Sequence, residues 1–196
     1  MATAKEELRR SLRRVRDAIA PAAASDAARD AARHLLALAP VADARTVALY
    51  APIRAELDSE PLAHELAARG ARLAYPRVVD PGPGKRLEFH EVALGATGPA
   101  PLRPGRFDIP EPPATAPVVA IDEIDVFVVP GLAFDRTGTR LGWGHGFYDR
   151  ALAGAPDAVR VGYCYACQLI DLVPREADDL PMHFVVTEAG ASRMIP

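Results

Sequence analysis

The stretch Val47-Ala48-Leu49-Tyr50-Ala51 decides the fold, together with the residues that follow it as far as Arg72-Leu73-Ala74-Tyr75. Both segments are short and apolar, which is typical of strands buried in a sheet. Between them, Asp58-Ser59-Glu60-Pro61 predicts the start of a helix, because it combines a cap residue, an acidic first turn and an early proline. Gly70 predicts the left-handed end of that helix. The β-α-β order indicates a parallel sheet with a right-handed crossover.

The rest of the chain continues this alternation of helices and strands. Further helices are predicted over residues 4–20, over 25–39 with Ser25 as the cap, and over about 147–153. Further strands are predicted over residues 87–92, 124–129, 159–163 and 184–187. The proline- and glycine-rich residues 81–117 predict a long ordered excursion over the surface. We therefore expect a single α/β domain over residues 1–196: an open, mostly parallel sheet with helices on both faces, in a Rossmann-like three-layer arrangement.

The N-terminal helix is predicted to be amphipathic and basic. Its expected buried stripe consists of Leu8, Leu12, Val15 and Ile19, which recur at helical spacing. Its cations are Lys5, Arg9, Arg10, Arg13, Arg14 and Arg16. The ordinary interpretation of such cations is a solvated face. Lys5 and Arg9 are one turn apart, so both can also reach the same anionic ligand.

Composition excludes several classes of protein. The chain is 49% hydrophobic and 25% charged, as in ordinary globular proteins, and its net charge of −3 creates no general attraction for nucleic acid or membranes. We find no secretory signal and no apolar run near the roughly 20 residues of a membrane span. Cys164 and Cys167 lack further zinc ligands, so we expect them to pack as apolar groups. The expected location is the cytoplasm.

The segment Arg140-Leu141-Gly142-Trp143-Gly144-His145-Gly146-Phe147-Tyr148-Asp149-Arg150 is interpreted as a phosphate-handling loop. Its alternating glycines allow backbone N–H groups to converge on an anion without obstruction by Cβ atoms. The spacing fits neither a dinucleotide-binding fingerprint nor a Walker loop. The alternative is a glycine-rich turn that only changes the direction of the chain.

This loop, preceded by Pro130-Gly131-Leu132-Ala133-Phe134-Asp135 and Gly138, resembles the signature of the 5-formyltetrahydrofolate cyclo-ligase family. The resemblance extends over nearly the whole chain through shorter matches, namely Lys5 and Arg9, Glu56, Tyr75-Pro76-Arg77, Ile109-Pro110-Glu111-Pro112, Gln168, and residues 174–187 with Asp179. The chain departs from the family pattern at Trp143, His145, Phe147 and His183.

The resemblance implies an enzyme that cyclises 5-formyltetrahydrofolate to 5,10-methenyltetrahydrofolate with ATP and Mg²⁺, giving ADP and phosphate. A formyl amide is a poor electrophile because its nitrogen donates into the carbonyl group. Phosphorylation of the formyl oxygen would give an iminium phosphate, which N10 could attack to close the ring. The protein would then mainly position two substrates and neutralise phosphate charge.

The resemblance also implies roles for residues of this chain. Contacts to ATP are expected from Lys5, Arg9, Arg140, Leu141, Gly142, Trp143, Gly144, His145, Gly146, Phe147 and Tyr148. Arg140 and Tyr148 are the expected catalytic residues, Arg140 because its charge would stabilise the transferring phosphoryl group. Glu56, Trp143 and Phe147 are expected to contact the folate, while Asp149 and Asp179 are expected to hold Mg²⁺. For Glu56, an electrostatic role at the next helix stays open, as does core packing for Phe147.

Two other function classes stay open. One is a non-catalytic folate- or nucleotide-binding protein, against which the charged set Lys5, Arg9, Glu56, Arg140, Asp149 and Asp179 argues. The other is an enzyme of related architecture that acts on a sugar phosphate, which would not explain the matches on the folate side. The expected partner is a reduced folate, with no nucleic acid and no membrane, and the expected state is a monomer or weak dimer.

Overall fold

The computed structural model describes residues 4–80, 84–95, 98–99, 102–105, 109–176 and 179–194. Its helices are α1 (Ala4–Asp17), α2 (Pro21–Leu36), α3 (Ala39–Ala42), α4 (Glu60–Ala68) and α5 (Phe147–Ala153). Its strands are β1 (Thr46–Ala48), β2 (Arg72–Val79), β3 (Arg86–Glu91), β4 (Leu94–Gly95), β5 (Gly98–Pro99), β6 (Arg103–Pro104), β7 (Pro110–Glu111), β8 (Val118–Val119), β9 (Val126–Val129), β10 (Ala133–Phe134), β11 (Arg140–Leu141), β12 (Val159–Tyr163), β13 (Phe184–Thr187) and β14 (Gly190–Arg193).

Eight of these strands form one central sheet in the order β14-β13-β12-β9-β1-β2-β3-β8. The five strands from β13 to β2 are parallel, and β14, β3 and β8 add antiparallel edges. Taken in chain order, the parallel strands are arranged 2-1-3-4-5. The direction of winding therefore reverses between β1 and β9, and the carboxyl ends of those strands are where such sheets bind ligands. The predicted open, mostly parallel sheet is confirmed.

The sheet is covered on both faces, as its strand pattern requires. In β9, Val126 and Val128 pack with α2 and α4, whereas Phe127 and Val129 belong to a second cluster that includes α5. Alternate residues of a strand point to opposite faces, so a continuous apolar strand supplies two cores at once. Cys164 is buried in the second cluster, and Cys167 is exposed.

Two helix starts show how proline fixes a boundary. α2 begins at Pro21 and not at the predicted cap Ser25, because the extended Ala20 precedes a proline that suits the first helical position. Ser25 lies inside the helix, where its hydroxyl accepts a hydrogen bond from Arg29. α4 begins beside Ser59, as predicted, and Gly70 beyond its end has a φ of +83°.

The N-terminal helix presents a different face to the protein from the one that its apolar residues predict. Leu12 is buried, but Val15 of the predicted stripe is 47% exposed. Arg16, interpreted as solvated, is only 1% exposed. Both expectations were wrong, because residues 5, 9, 12 and 16 share the inward face, which contacts carboxylates and a backbone carbonyl group as well as apolar side chains. The helix ends at Asp17 and not at residue 20.

The inward face of α1 contacts the chain segment that follows β9 and a buried carboxylate. Leu12 packs with Leu132 and Leu141 of the segment that leads to residues 142–146, which we call the glycine loop, and Arg16 lies beside the buried Glu56. The inward face of α1 therefore meets the loops above the sheet, and these loops contain polar groups that accept cations.

The predicted excursion is partly built into the sheet. β3 pairs with β2, and β8 pairs with β3, while β4–β5 and β6–β7 form short hairpins. Glu111 ties the second hairpin to β2, because its buried carboxylate accepts a hydrogen bond from the amide of Val78. Residues 81–83, 96–97, 100–101 and 106–108 of the excursion lie outside the described residues. Within the described part of the chain, no helix is long and apolar enough to cross a membrane.

Candidate active site

A cavity of about 710 Å³ opens where the sheet reverses its winding. Tyr50 and Ala51 line it just beyond β1, and Pro130 lines it just beyond β9. All the residues that were expected to bind ATP, folate or Mg²⁺ line this same cavity, namely Lys5, Arg9, Glu56, Asp179 and each residue from Arg140 to Asp149. The fold thus brings together groups from the N-terminus, the loop after β1, the glycine loop and the segment before β13.

A buried carboxylate stabilises the hairpin that precedes the glycine loop. β10 and β11 pair antiparallel, and Asp135 in their turn accepts hydrogen bonds from Thr137, Thr139 and the distant amide of Val173. Burial pushes the pKa of Asp135 upward, but these hydrogen bonds outweigh burial and hold that pKa below its usual value. The hairpin is therefore fixed at its turn, and the glycine loop begins directly after β11.

The glycines of the loop leave room for arginine side chains. Gly144 has a φ of +93°, and a Cβ atom there would lie 3.3 Å from a guanidinium nitrogen of Arg9. A Cβ atom on Gly142 would lie 2.6 Å from a guanidinium nitrogen of Arg140. Arg9 also donates from Nε to the carbonyl oxygen of Gly142, at 3.0 Å. The guanidinium groups of Arg9 and Arg140 therefore lie against the loop at the cavity wall, in addition to the backbone groups that the sequence suggested.

Arg140 and Asp149 form an ion pair at the beginning of α5. Nη2 of Arg140 and Oδ1 of Asp149 are 2.9 Å apart, and both side chains are largely buried. The guanidinium of Arg140 also lies 5.5 Å from the centre of the Tyr148 ring. Burial, together with the charge of Glu56, raises the pKa of Tyr148 well above its usual value. The Tyr148 hydroxyl group is therefore protonated at neutral pH and is suited to donating a hydrogen bond.

Glu56 is held from three sides. Its Oε2 accepts a hydrogen bond from the amide of Ile53, and its Oε1 accepts one from the indole Nε1 of Trp143, both at 3.1 Å. Nη1 of Arg16 lies 3.8 Å from Oε1 of Glu56. Burial raises the pKa of Glu56, while the Ile53 amide, Arg16, Trp143 and Arg54 oppose that rise. The carboxylate is thus fixed in direction and surrounded by donors.

The loop that carries Glu56 has an unusual backbone. Arg54 and Ala55 have φ values of 46° and 26°, in the left-handed region that disfavours side chains. This turn places the Arg54 guanidinium 4.9 Å from the centre of the Trp143 indole, which Arg13 and Arg16 also approach, at 5.8 and 5.6 Å. Trp143 is therefore packed among three guanidinium groups.

The two expected metal ligands have different surroundings. Asp149 is paired with Arg140, whereas Asp179 accepts a hydrogen bond from the amide of Glu176 through Oδ2. Glu176 in turn binds Lys5 at 2.6 Å. Among the described residues, no group of three or more His, Cys, Asp or Glu side chains is arranged to hold a metal ion. A metal here would take one or two carboxylates and complete its coordination with water or ligand oxygens, as Mg²⁺ commonly does.

Sequence reasoning missed two cations of the site. Arg16 continues the spacing of Lys5 and Arg9 along one helix face, so helical periodicity could have identified it. Arg54 gave no such signal, because its position depends on the left-handed turn in a loop.

The chain is similar to known proteins of one family. The model of the 5-formyltetrahydrofolate cyclo-ligase family matches residues 1–188. The 5-formyltetrahydrofolate cyclo-ligase of Escherichia coli (strain K12) is 36% identical over 156 residues, which cover 78% of this chain and 83% of that protein. The enzyme of the same name from Mycolicibacterium smegmatis is 37% identical over 145 residues, 73% of each chain.

Solved structures extend the similarity to the fold. The structure of Aquifex aeolicus 5,10-methenyltetrahydrofolate synthetase superposes with a TM-score of 0.82 and 31% identity, covering 99% of this chain and 94% of that one. A 5,10-methenyltetrahydrofolate synthetase from Mycoplasma pneumoniae has a TM-score of 0.74 at 22% identity, covering 95% of this chain and 99% of that one, which shows a shared fold.

Proposed function

This chain belongs to the 5-formyltetrahydrofolate cyclo-ligase family, and we propose that it converts 5-formyltetrahydrofolate and ATP to 5,10-methenyltetrahydrofolate, ADP and phosphate. The observation that carries the proposal is one cavity that contains the glycine loop, with Arg9 and Arg140 against it, and the buried Glu56. Phosphate transfer needs the loop and its two arginines, and recognition of a polar ring system needs a group such as Glu56. The proposal includes a cytoplasmic enzyme, monomeric or weakly dimeric, that acts on a reduced folate and on neither nucleic acid nor membranes.

The triphosphate of ATP would bind Lys5, Arg9 and Arg140. Support comes from the positions of Arg9 and Arg140 against the glycine loop, and from the buried Nε of Arg140, which has no hydrogen-bond partner among the described residues. A buried donor without a partner is costly, so a ligand oxygen is a suitable acceptor for it. The remaining loop residues would surround the nucleotide.

Mg²⁺ would be held by Asp149 and Asp179, both of which line the cavity. The ion would supply charge neutralisation for the phosphates. Asp149 also keeps Arg140 in place through its ion pair. Asp149 would therefore position both of the positive charges that face the phosphates, namely Mg²⁺ and the guanidinium of Arg140.

In the proposed reaction, the formyl oxygen forms a bond to the γ-phosphorus of ATP as the bond to ADP breaks. N10 then attacks the formyl carbon, and the carbon–oxygen bond breaks to release phosphate, which takes up the proton that N10 loses. Glu56 would contact the pterin or formyl end of the folate and accept hydrogen bonds from N–H groups of the pterin or from N10–H beside the formyl group, with Trp143 and Phe147 next to it. Arg140 would stabilise the transferring phosphoryl group, and the protonated Tyr148 would donate a hydrogen bond.

One assay distinguishes the candidate functions. Purified protein is mixed with 5-formyltetrahydrofolate and MgATP, and formation of methenyltetrahydrofolate is followed by its absorbance. Turnover supports the proposal. Folate binding without turnover would favour the non-catalytic binding protein, and the absence of both binding and turnover would favour an enzyme for another substrate.

The carboxylate of Asp149 gives a sharper test. Asp149→Asn keeps the shape of the side chain but removes its charge, so we expect cyclisation to fall by about 100-fold or more. The chain should still fold, with a lower unfolding temperature because the largely buried Arg140 loses its counter-charge, and the exposed Asp171→Asn is the control for loss of one charge. Undiminished turnover of Asp149→Asn at saturating Mg²⁺ would contradict the metal role.

A further inference from the structure

Among the described residues, Arg16 is the most deeply buried cation that has no role in the proposed reaction. Its side chain is 1% exposed, and none of its three guanidinium nitrogens has a hydrogen-bond partner among the described residues. A buried guanidinium is expensive unless a charge or an aromatic face compensates it. The two groups that do so here are Glu56, 3.8 Å away, and the ring of Trp143, whose centre is 5.6 Å away.

We propose that Arg16 is a positioning residue for the folate end of the site, where it fixes the Glu56 carboxylate and the Trp143 indole. This inference rests on the proposed function, in which Glu56 contacts the folate. Lys5, Arg9 and Arg16 lie on one face of α1. The same helix would thus present Lys5 and Arg9 to ATP. Through Arg16 it would also position Glu56, which contacts the folate.

The charges around Glu56 define what loss of Arg16 would do. Arg16 approaches from α1 and Arg54 from the loop after β1, and both lower the pKa of Glu56. Tyr50 faces it from just beyond β1 and Tyr148 from α5, and burial together with the Glu56 charge raises the pKa of each, so both hydroxyls are neutral. Burial already raises the pKa of Glu56. Removal of Arg16 therefore raises it further, and a higher pH is needed to ionise the carboxylate.

The kinetic test compares Arg16→Gln with Arg14→Gln, which removes an exposed cation from the same last turn of α1. For Arg16→Gln we expect about a tenfold fall in kcat/KM for the folate near neutral pH. The acid limb of the pH profile should move to higher pH by about one pH unit. The KM for ATP should stay within about twofold of the wild-type value. Arg14→Gln should match the wild type.

A second readout does not depend on activity. Trp143 is the only tryptophan in the sequence and is hydrogen-bonded to Glu56, so its fluorescence reports on that carboxylate. We expect an acid transition in the emission of the wild type, with a higher midpoint in Arg16→Gln, an unchanged midpoint in Arg14→Gln and no transition in Glu56→Gln. If the wild type lacks cyclo-ligase activity, the proposed function fails while this test of Arg16 still stands.

Two outcomes would overturn the inference. One is an Arg16→Gln protein with the wild-type fluorescence midpoint and pH profile. The other is an equal loss of activity at every pH, with KM raised for both substrates, which indicates that Arg16 only docks the helix. If Arg16→Gln does not fold, Arg16→Lys replaces it. We then expect a raised KM for the folate alone, and wild-type values in Arg16→Lys would equally refute the positioning role.

Discussion

Gly144 combines a left-handed backbone with a close neighbour, and substitution can separate the two effects. Its φ is +93°, and an added Cβ would lie 3.3 Å from Arg9. Gly70 has a similar φ of +83° but nothing within 4 Å of the added atom. An alanine at either position would therefore have a similar strain in its backbone, but only the alanine at position 144 would contact Arg9.

We expect Gly144→Ala and Gly70→Ala to lose similar stability, about 1–2 kcal/mol each, because alanine disfavours positive φ. Only Gly144→Ala should impair use of ATP, by about tenfold or more in kcat/KM, because it displaces Arg9. Urea unfolding and steady-state kinetics of both variants give the comparison. Equal kinetic effects in the two variants would show that the contact with Arg9 has no role.

At the scale of the element, α1 is attached by a small apolar cluster. Leu12 packs there with Leu132, Leu141 and Val173, whereas Val15 faces solvent. We expect Leu12→Ala to lower the free energy of unfolding by about 2–3 kcal/mol and to raise the KM for ATP, because α1 carries Lys5 and Arg9. Val15→Ala should change stability by less than about 0.5 kcal/mol. Denaturant unfolding measures the stability of both variants. A larger loss in Val15→Ala than in Leu12→Ala would instead support the inward face that the apolar residues predict.

The elements also show what can be predicted from the sequence and what cannot. The strand 126–129 and the helix 147–153 were predicted closely, because apolar runs and glycine boundaries are local signals. The inward face of α1 was mispredicted, because the prediction used only the spacing of apolar residues. It therefore left out Arg16, which is buried beside Glu56, a residue far away in the sequence. The glycine loop was recognised by its residue pattern, but the packing of Trp143 among three arginines depends on tertiary contacts.

At the scale of the whole molecule, the site depends on the order of the strands. Glu56 follows β1, the glycine loop follows the hairpin after β9, and α1 lies across both. These segments are far apart in sequence and meet because β1 and β9 are neighbours with their carboxyl ends together. Stability of the sheet is therefore a condition for the site to exist, and the sheet has a titratable group of its own.

That group is His183, which precedes β13 and accepts a hydrogen bond at Nδ1 from the amide of Arg160. Burial, then the charges of Arg160 and Arg193, hold its pKa below the usual value of 6.5. The unfolded chain therefore binds more protons than the folded chain just below that pH, so stability is complete above about pH 6.5 and falls as the pH decreases through the lowered pKa. We expect urea unfolding between about pH 5 and pH 7.5 to show this loss in the wild type and less of it in His183→Gln. His64→Gln, at an exposed position on α4, is the control. An unchanged pH dependence in His183→Gln would rule out His183 as its source.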